Sequence, residues 1–325
     1  MKMLKVHGSN NDFFILPAAN LTKPLSEAEL KLLAQKLCDR KSGLHGGADG
    51  VLYVTPGHDA SVAGKMRVIN ADGSEASMCG NGLRTVARYL STQTGLTDFK
   101  VETMHADLEV KAAPAFAKGV PAFDVEISPV SFKAEDLLMH IGKEQLINET
   151  VPQLGSNLKF TAVAVPNPHL ISFVDHETLM GEELGRIATY LNDGQNPLFP
   201  DGVNVSFVEV LATNKIFVRT YERGVGYTNA CGTAMSASSL VYSLLYPETS
   251  VEDLITVINP GGMVKTKVHQ RQDGSYWMSL IGNASFVAEV ELEQADAMQG
   301  DFTKAIWNET GEQAAYEEFV ANLKK

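Results

Sequence analysis

Two cysteine–glycine pairs, Cys79-Gly80 and Cys231-Gly232, are the residues whose types and setting best suit chemistry. Each pair follows a polar, glycine-containing loop and opens a segment compatible with a helix. A cysteine in the first turn of a helix lies at the positive end of the helix dipole, which favours the thiolate. The backbone N–H groups that follow have no partner within the helix, so they can bind an anion such as a carboxylate. One such unit would indicate a nucleophile or a redox thiol, whereas two units indicate a reaction that uses both thiols together.

The two pairs lie 152 positions apart (231 − 79), which is about one domain length. Strand, polar loop, Cys-Gly and helix therefore occur once in each half, and this repeat predicts two similar domains that face each other. Two sulfurs on opposite sides of a substrate carbon could invert it, because one thiolate removes a proton while the other thiol delivers one. The helix N-terminal amides would stabilise the charge that develops on the α-carboxylate. The pattern predicts two-base racemisation of an amino acid.

The elements that must position these cysteines are mostly strands. Strands are predicted at residues 51–54, 65–70, 99–110, 123–127, 160–165, 203–210, 216–221, 262–269 and 276–281. A helix is predicted from Ser26 to Cys38, with a capping box between Ser26 and Glu29, and another over residues 314–323. The Pro- and Ala-rich stretch 112–122 interrupts the pattern and is predicted to be a linker. We expect an N-terminal domain over residues 1–120, completed by about 283–325, and a C-terminal domain over 121–282.

Composition narrows the classes of partner. The chain has 325 residues and a net charge of −12, which argues against nucleic acid or an anionic membrane as a partner. Three widely spaced cysteines, with Cys38 the third, form neither a disulfide framework nor a zinc motif. The N-terminus lacks the pattern of a signal peptide, so we expect a cytoplasmic protein with free thiols. Dinucleotide, phosphate-loop and metal motifs are not found in the sequence, and no cofactor or metal is predicted.

Further motifs follow one another along most of the chain. They are residues 5–13, 47–50, 70–75, 78–82, 166–169, 202–205, 221–224 and 230–233. With these motifs in this order, the sequence resembles the diaminopimelate epimerases. The resemblance implies an α/β (α+β) fold of two pseudo-symmetric domains, each a curled, mostly antiparallel sheet around a central helix, with the active site in the interdomain cleft. It implies a cofactor-independent isomerase that interconverts L,L- and meso-diaminopimelate in lysine and peptidoglycan precursor biosynthesis, and a homodimer.

The resemblance also implies roles for individual residues. Cys79 and Cys231 are the implied acid/base pair, and His169 and Glu222 are implied to support thiol ionisation. The implied substrate-binding residues are Asn11, Asn70, Gly80, Asn81, Asn167, Asn204, Glu222, Arg223, Gly232 and Thr233. Arg223 suits bidentate binding of a distal carboxylate. Glu222 and the asparagine carbonyls suit the distal ammonium.

Some segments depart from the family pattern. A family glycine near the N-terminus is replaced in Gly8-Ser9-Asn10-Asn11-Asp12, and segment 43–49 is longer than usual. The glutamate that the family places shortly before its second cysteine is Tyr227 here, a change expected to alter thiol ionisation or specificity. Residues 294–325 exceed the family core.

Two alternatives to the diaminopimelate reaction stay open. One is a cofactor-independent racemase of another amino acid, such as histidine, for which Tyr227 leaves room. The other is a non-enzymatic ligand-binding or thiol-redox protein in which Cys79 and Cys231 form a regulatory disulfide. Replacing either cysteine by serine should abolish inversion in an epimerase and leave ligand affinity intact in a binding protein.

Overall fold

Strands and helices of a mixed α+β fold were assigned in a computed structural model that describes residues 1–323. The strands are β1 Lys2–Gly8, β2 Asn11–Pro17, β3 Gly50–Thr55, β4 Gly64–Asn70, β5 Glu75–Ala76, β6 Asp98–Glu102, β7 Asp107–Ala117, β8 Val120–Ile127, β9 Glu149–Thr150, β10 Lys159–Ala164, β11 Pro168–Phe173, β12 Asn204–Ala212, β13 Lys215–Glu222, β14 Gly226–Thr228, β15 Leu254–Asn259, β16 Gly262–Gln270, β17 Tyr276–Asn283, β18 Ser285–Glu291 and β19 Ile306–Glu309. The helices are α1 Glu27–Cys38, α2 Gly80–Thr94, α3 His176–Met180, α4 Glu183–Leu191, α5 Gly232–Leu245, α6 Gln294–Gln299 and α7 Glu312–Leu323.

The chain divides into two compact units. The first unit comprises residues 1–125 together with the C-terminal residues from 281 onward, and the second comprises residues 126–280. Each unit has its own hydrophobic core. In the first, Leu33 and Leu37 of α1 pack with Val51 of β3, and in the second Ile187 of α4 packs with Phe207 of β12.

The sheet of the first unit is mostly antiparallel. Its strands follow the order β19-β18-β1-β2-β3-β4-β6-β7-β8, with the short β5 also paired to β4. The β2–β3 and β4–β6 pairs are parallel, and the others are antiparallel. Helix α2 contacts β1, β2, β3, β4 and β7 and is the central helix of this unit.

The second unit repeats this arrangement. Strands β10 to β16 pair in the order antiparallel, parallel, antiparallel, antiparallel, parallel, antiparallel, as β1 to β7 do. Helix α5 lies between β14 and β15 in the sequence, as α2 lies between β5 and β6. It contacts β10, β11, β12, β13, β15 and β16, so it is the central helix of the second unit. The predicted α+β class and internal repeat are confirmed.

Two local predictions were wrong. The predicted strand 99–110 is two strands, β6 and β7, because the chain turns at Thr103, whose N–H donates to the Ala106 carbonyl at 2.8 Å. The predicted linker 112–122 is a β-hairpin of β7 and β8, with Gly119 at φ +76 in its turn. A register shift between Ala113 and Ala117 accommodates Pro114, which has no N–H to give to a ladder.

The helix predicted at 26–38 is confirmed as α1. Ser26 is its N-cap, and the reciprocal bonds between Ser26 and Glu29 complete the predicted capping box. The helix predicted at 314–323 is confirmed as α7. No helix within residues 1–323 is long and apolar enough to cross a membrane.

Candidate active site

Cys79 is the N-cap residue of α2, in extended conformation with φ −143 and ψ 109. The N–H of Gly82 points at its sulfur, with a nitrogen–sulfur distance of 3.5 Å. Because the first N–H groups of a helix have no partner within it, those of α2 concentrate positive potential around this thiol. A Cβ added at Gly82 would come within 2.7 Å of the Leu52 side chain, so this helix start packs closely on β3 and a larger residue would make Leu52 shift.

Asn11 links Cys79 to the N-terminal turn of α2. Its Oδ1 lies 3.6 Å from the Cys79 sulfur and accepts a hydrogen bond from Asn81 Nδ2 at 3.1 Å. Its Nδ2 donates to Asp49 Oδ2 at 2.6 Å, so Asp49 fixes which way the amide faces. The Asp49 carboxylate is held in turn by Arg40 at 2.7 Å. Asp49 therefore positions a candidate substrate-binding residue.

Arg84 lies entirely inside the first unit, with 0 % of its surface exposed. Its guanidinium turns back toward the start of α2 and donates to Asn81 Oδ1 at 2.9 Å and to the Gly80 carbonyl at 3.5 Å. Nε donates to the Asn283 carbonyl at 3.2 Å. Burial lowers the pKa of Arg84 to about 10, while Cys79 and Tyr316 act to raise it. At neutral pH the group is still a cation.

Cys231 has the matching position at the N-cap of α5, with φ −113 and ψ 108, and is 8 % exposed. Its sulfur lies 3.4 Å from the Thr233 hydroxyl. Burial raises the pKa of the Cys231 thiol well above its ordinary value, and the neighbouring Glu222 raises it further. Hydrogen bonds from Thr233 and the Ala234 N–H act in the opposite direction. Glu222 thus favours the protonated thiol, whereas the resemblance implies that it supports ionisation of the thiol.

His169 is buried on β11 and has 0 % exposure. Its Nε2 lies 2.9 Å from Asn167 Oδ1, and since that oxygen can only accept, Nε2 carries the proton. Its Nδ1 is buried and has no hydrogen-bond partner among the described residues. Burial lowers the pKa of His169 to about 3, and Arg223 lowers it further, so the ring is neutral at physiological pH.

Asn204 joins His169 to the loop that precedes Cys231. It lies beside His169 in the parallel β11–β12 pair, and its Oδ1 accepts the backbone N–H of Arg223 at 3.0 Å. The Arg223 guanidinium donates to the Asp201 carbonyl at 2.9 Å. Asn167, His169, Asn204 and Arg223 therefore lie in one group within the second unit.

Asn70 and Glu222 have equivalent positions in the two repeats. Asn70 ends β4 opposite Gly50, nine residues before Cys79, and Glu222 ends β13, nine residues before Cys231. The amide of Asn70 donates to the Ser74 hydroxyl at 3.0 Å. One cysteine therefore has a carboxylate on this strand end, where the other half of the chain has an amide.

Tyr227 lies on β14 and packs against Tyr221 and Arg219. Its ring meets that of Tyr221 edge-on, with centroids 5.3 Å apart, and the Arg219 guanidinium lies 4.6 Å from the Tyr227 ring centroid. The ring is about half exposed.

The predicted site residues fall into two groups, one in each unit. Asn11, Asn70, Cys79, Gly80 and Asn81 belong to the first unit, and Asn167, His169, Asn204, Glu222, Arg223, Cys231, Gly232 and Thr233 to the second. Sequence reasoning missed Asp49 and Arg84. Arg84 carried a usable signal, because it is a charge among apolar residues five positions after a cysteine at a helix start. Within residues 1–323, no cluster of three histidine, cysteine or acidic side chains is arranged to hold a metal ion.

The sequence profile of diaminopimelate epimerase matches residues 3–124 and 161–287. The chain belongs to the diaminopimelate epimerase family. It is 70 % identical to the diaminopimelate epimerase of Ligilactobacillus salivarius over 326 aligned positions that cover all of both chains. It is 62 % identical to that of Lactiplantibacillus plantarum, covering 100 % of this chain and 99 % of the relative. It is 56 % identical to that of Enterococcus faecalis, and the alignment covers 99 % of this chain and 98 % of the relative.

Solved structures of low sequence identity share the fold of this family member. A phenazine biosynthesis protein of the PhzF family from Bacillus anthracis superposes with a TM-score of 0.62 at 16 % identity, covering 89 % of this chain and 97 % of that one. A probable proline racemase from Agrobacterium radiobacter gives a TM-score of 0.60 at 14 % identity, and the superposition covers 91 % of this chain and 95 % of that one. At these identities the likeness establishes the fold alone.

Proposed function

We propose that this protein is an isomerase that interconverts L,L- and meso-diaminopimelate, with Cys79 and Cys231 as its acid/base pair. The observation that carries the proposal is that each cysteine is the N-cap of the central helix of its unit, at equivalent points of a repeated topology. Full-length relatives that are 50–70 % identical and named diaminopimelate epimerase support the choice of substrate. The two units are proposed to be the two epimerase domains of the family.

The proposed reaction uses the two helix N-termini on one α-carboxylate. The backbone N–H groups at Gly80-Asn81 and Gly232-Thr233 bind this carboxylate and stabilise the negative charge that develops when the α-proton leaves. One cysteine thiolate takes that proton, and the thiol of the other cysteine gives a proton to the opposite face of the carbon. The configuration is inverted, and the protonation states of the two sulfurs are exchanged.

The distal end of the substrate would be held by polar side chains of both units. Arg223 is the cation suited to the distal carboxylate, because its planar fork matches two oxygens. Asn11, Asn70, Asn167 and Asn204, with Glu222, supply acceptors for the distal ammonium. A site that pairs every polar group discriminates strongly against shorter amino acids, whose binding would leave buried partners unpaired.

His169 and Glu222 are proposed to serve Cys231. The Glu222 carboxylate raises the pKa of the Cys231 thiol, and it is proposed to accept the Cys231 proton when this sulfur must become the base. His169 is neutral, so its part is to hold Asn167 through Nε2 and to offer an acceptor at Nδ1. The mechanism runs on side chains and backbone amides alone and needs no cofactor. We propose a cytoplasmic homodimer that works in lysine and peptidoglycan precursor biosynthesis.

The test is inversion of L,L-diaminopimelate in D2O by reduced protein without added cofactor, followed by NMR and chiral chromatography. We expect the meso isomer with deuterium at one α-carbon. Cys79→Ser and Cys231→Ser should each abolish inversion. Cys38→Ala is the matched control, because Cys38 is buried and burial raises the pKa of its thiol to about 12.

Other outcomes separate the alternatives. Exchange and inversion of histidine or another amino acid, without turnover of diaminopimelate, would assign the chemistry to a different substrate. No exchange with any amino acid, with the thiols shown to be free, would contradict the enzyme proposal. It would then favour a binding or redox protein.

A further inference from the structure

Arg84 is a buried cation that no carboxylate within residues 1–323 balances. Among the described residues, no acidic side chain lies within ion-pair distance of its guanidinium, and its hydrogen bonds go to neutral oxygens of Gly80, Asn81 and Asn283. Transfer of a charge from water into a protein interior is strongly unfavourable when no opposite charge is near. A cation retained at this cost calls for an explanation in terms of an anion that forms nearby.

The backbone around the guanidinium leaves room for it and for little else. A Cβ built on Gly8 would lie 2.7 Å from an Arg84 terminal nitrogen, and one built on Gly282 would lie 2.7 Å from its central carbon. The side chain is thus enclosed by glycines on β1 and β17, with its donors aimed at the first turn of α2. The enclosure fixes the charge next to the helix start that carries Cys79.

The titratable groups that act on Arg84 come from three elements. They are Cys79 at the start of α2, His7 on β1 and Tyr316 on α7. Burial lowers the pKa of His7 to about 4 and raises that of Tyr316 to about 12, so both are neutral near pH 8. Cys79 is therefore the group of this set that the proposed reaction requires as an anion.

The second unit has the opposite arrangement. Ser236 follows Cys231 by five residues, as Arg84 follows Cys79, and it is buried and neutral, bonding to the Gly232 carbonyl at 3.0 Å. The carboxylate of Glu222 takes the place that the amide of Asn70 has in the first unit. One cysteine is thus provided with a fixed cation, and the other with an anion.

We propose that Arg84 is a positioning residue that acts as the fixed counter-cation of Cys79, so that the unliganded enzyme carries its thiolate on Cys79 and its thiol on Cys231. This rests on the proposed function in that both cysteines act on one substrate carbon. It deepens that function by stating which sulfur begins as the base. Arg84 also holds Asn81, whose amide bonds to Asn11 beside the same sulfur.

The test is alkylation by iodoacetamide as a function of pH, with full-length reduced protein and peptide mass spectrometry to follow each cysteine separately. Arg84→Met removes the charge at similar volume, and Arg84→Lys keeps a charge while losing the fork. Arg88→Met is the matched control, because Arg88 lies one turn further along α2 and its charge is paired with Glu312 at 2.6 Å.

We expect the Arg84→Met profile of Cys79 to move to higher pH, with alkylation at pH 7.5 slower by about tenfold or more. The Arg84→Lys protein should stay within about threefold of the native rate, since the charge remains. Arg88→Met should leave the profile unchanged. An unshifted Arg84→Met profile would overturn the proposal, as would an Arg84→Lys profile displaced as far as that of Arg84→Met.

If Arg84→Met and Arg84→Lys both fail to fold, the alkylation profile of the native protein tests the proposal. Half-maximal alkylation of Cys79 at or above about pH 8.5, the value for an unperturbed thiol, would overturn it, and a clearly lower midpoint supports it. Failure of the proposed function is seen separately. If the native protein shows the expected alkylation profile but does not invert diaminopimelate, the assignment of the thiolate to Cys79 stands and the proposed substrate is wrong.

Discussion

Replacing Tyr316 by alanine is expected to destabilise the first unit by about 3–5 kcal/mol, the usual cost of removing a large buried aromatic side chain. Tyr316 belongs to α7, which lies beyond the residues matched by the family profile, yet its side chain is 0 % exposed. Its ring meets His7 edge-on with centroids 4.7 Å apart. The C-terminal helix is therefore expected to be part of the core of this unit.

A second contact joins the same helix to the helix of Cys79. Glu312, the first residue of α7, pairs with both terminal nitrogens of Arg88 on α2 at 2.6 and 2.7 Å. Glu312 also accepts the backbone N–H of Phe286 at 2.8 Å. Loss of the Tyr316 ring would leave α7 attached through these polar contacts and through the ring of Phe319, which lies 5.8 Å from that of Phe116.

The assay follows the fluorescence of Trp307, one of the two tryptophans of the chain. Trp307 lies on β19 in the first unit, so a Trp277→Phe background leaves a single fluorophore that reports on that unit during urea unfolding. Glu317→Ala, an exposed change on the same helix, should stay within about 0.5 kcal/mol of the parent. A Tyr316→Ala cost below about 1 kcal/mol would refute the reasoning, because it would show that α7 contributes little to the core.

Three further predictions follow from the site. Glu222→Gln removes a charge that raises the pKa of Cys231, so this thiol should be alkylated faster than in the native protein at the same pH, as peptide mass spectrometry would show; an unchanged rate would contradict this. Asp49→Ala should lower kcat/KM roughly tenfold to a hundredfold by releasing the Asn11 amide, with the folded state checked by circular dichroism; full activity would exclude this positioning role. For His169, whose pKa falls from about 6.5 to about 3 on folding, the unfolded chain binds the proton first as pH drops. The free energy of unfolding should therefore fall progressively between pH 6.5 and pH 3, by up to about 1.4 kcal/mol per pH unit. His169→Asn should remove this part of the pH dependence, as urea unfolding at a series of pH values would show.

Elements with strong local signals could be predicted from the sequence. The capping box at Ser26 marks the start of α1, and the Cys-Gly pairs mark the starts of α2 and α5, because the residues that satisfy a helix terminus are close in sequence. The turn near Thr103 escaped prediction because the residues between β6 and β7 include no glycine or proline. The hairpin at 112–122 escaped because proline is read as a strand breaker unless a bulge is known to accept it.

Tertiary contacts explain why the rest of the site was missed. Arg84 would be assigned to the solvent from its type, since arginine is almost never fully buried without a partner. Its place inside the first unit depends on Asn283, Gly8 and Gly282, of which two lie about 200 residues away in the sequence. The orientation of Asn11 likewise depends on Asp49, which immediately precedes the neighbouring strand β3.

The difference between Arg84 and Ser236 bears on why a repeated fold needs unequal halves for this chemistry. Two-base inversion requires one sulfur to hold a proton while the other does not, whichever isomer is bound. If both cysteines had the same surroundings, they would titrate together, and a large share of the protein would carry two thiols or two thiolates near their common pKa. On this proposal, a cation beside Cys79 and a carboxylate beside Cys231 separate the two ionisations, so that one sulfur keeps its proton while the other has lost it over a wide range of pH. A double variant, Arg84→Met with Glu222→Gln, would make the two halves more alike. We expect it to narrow the pH range of activity relative to either single variant, because the mixed protonation state would become less populated.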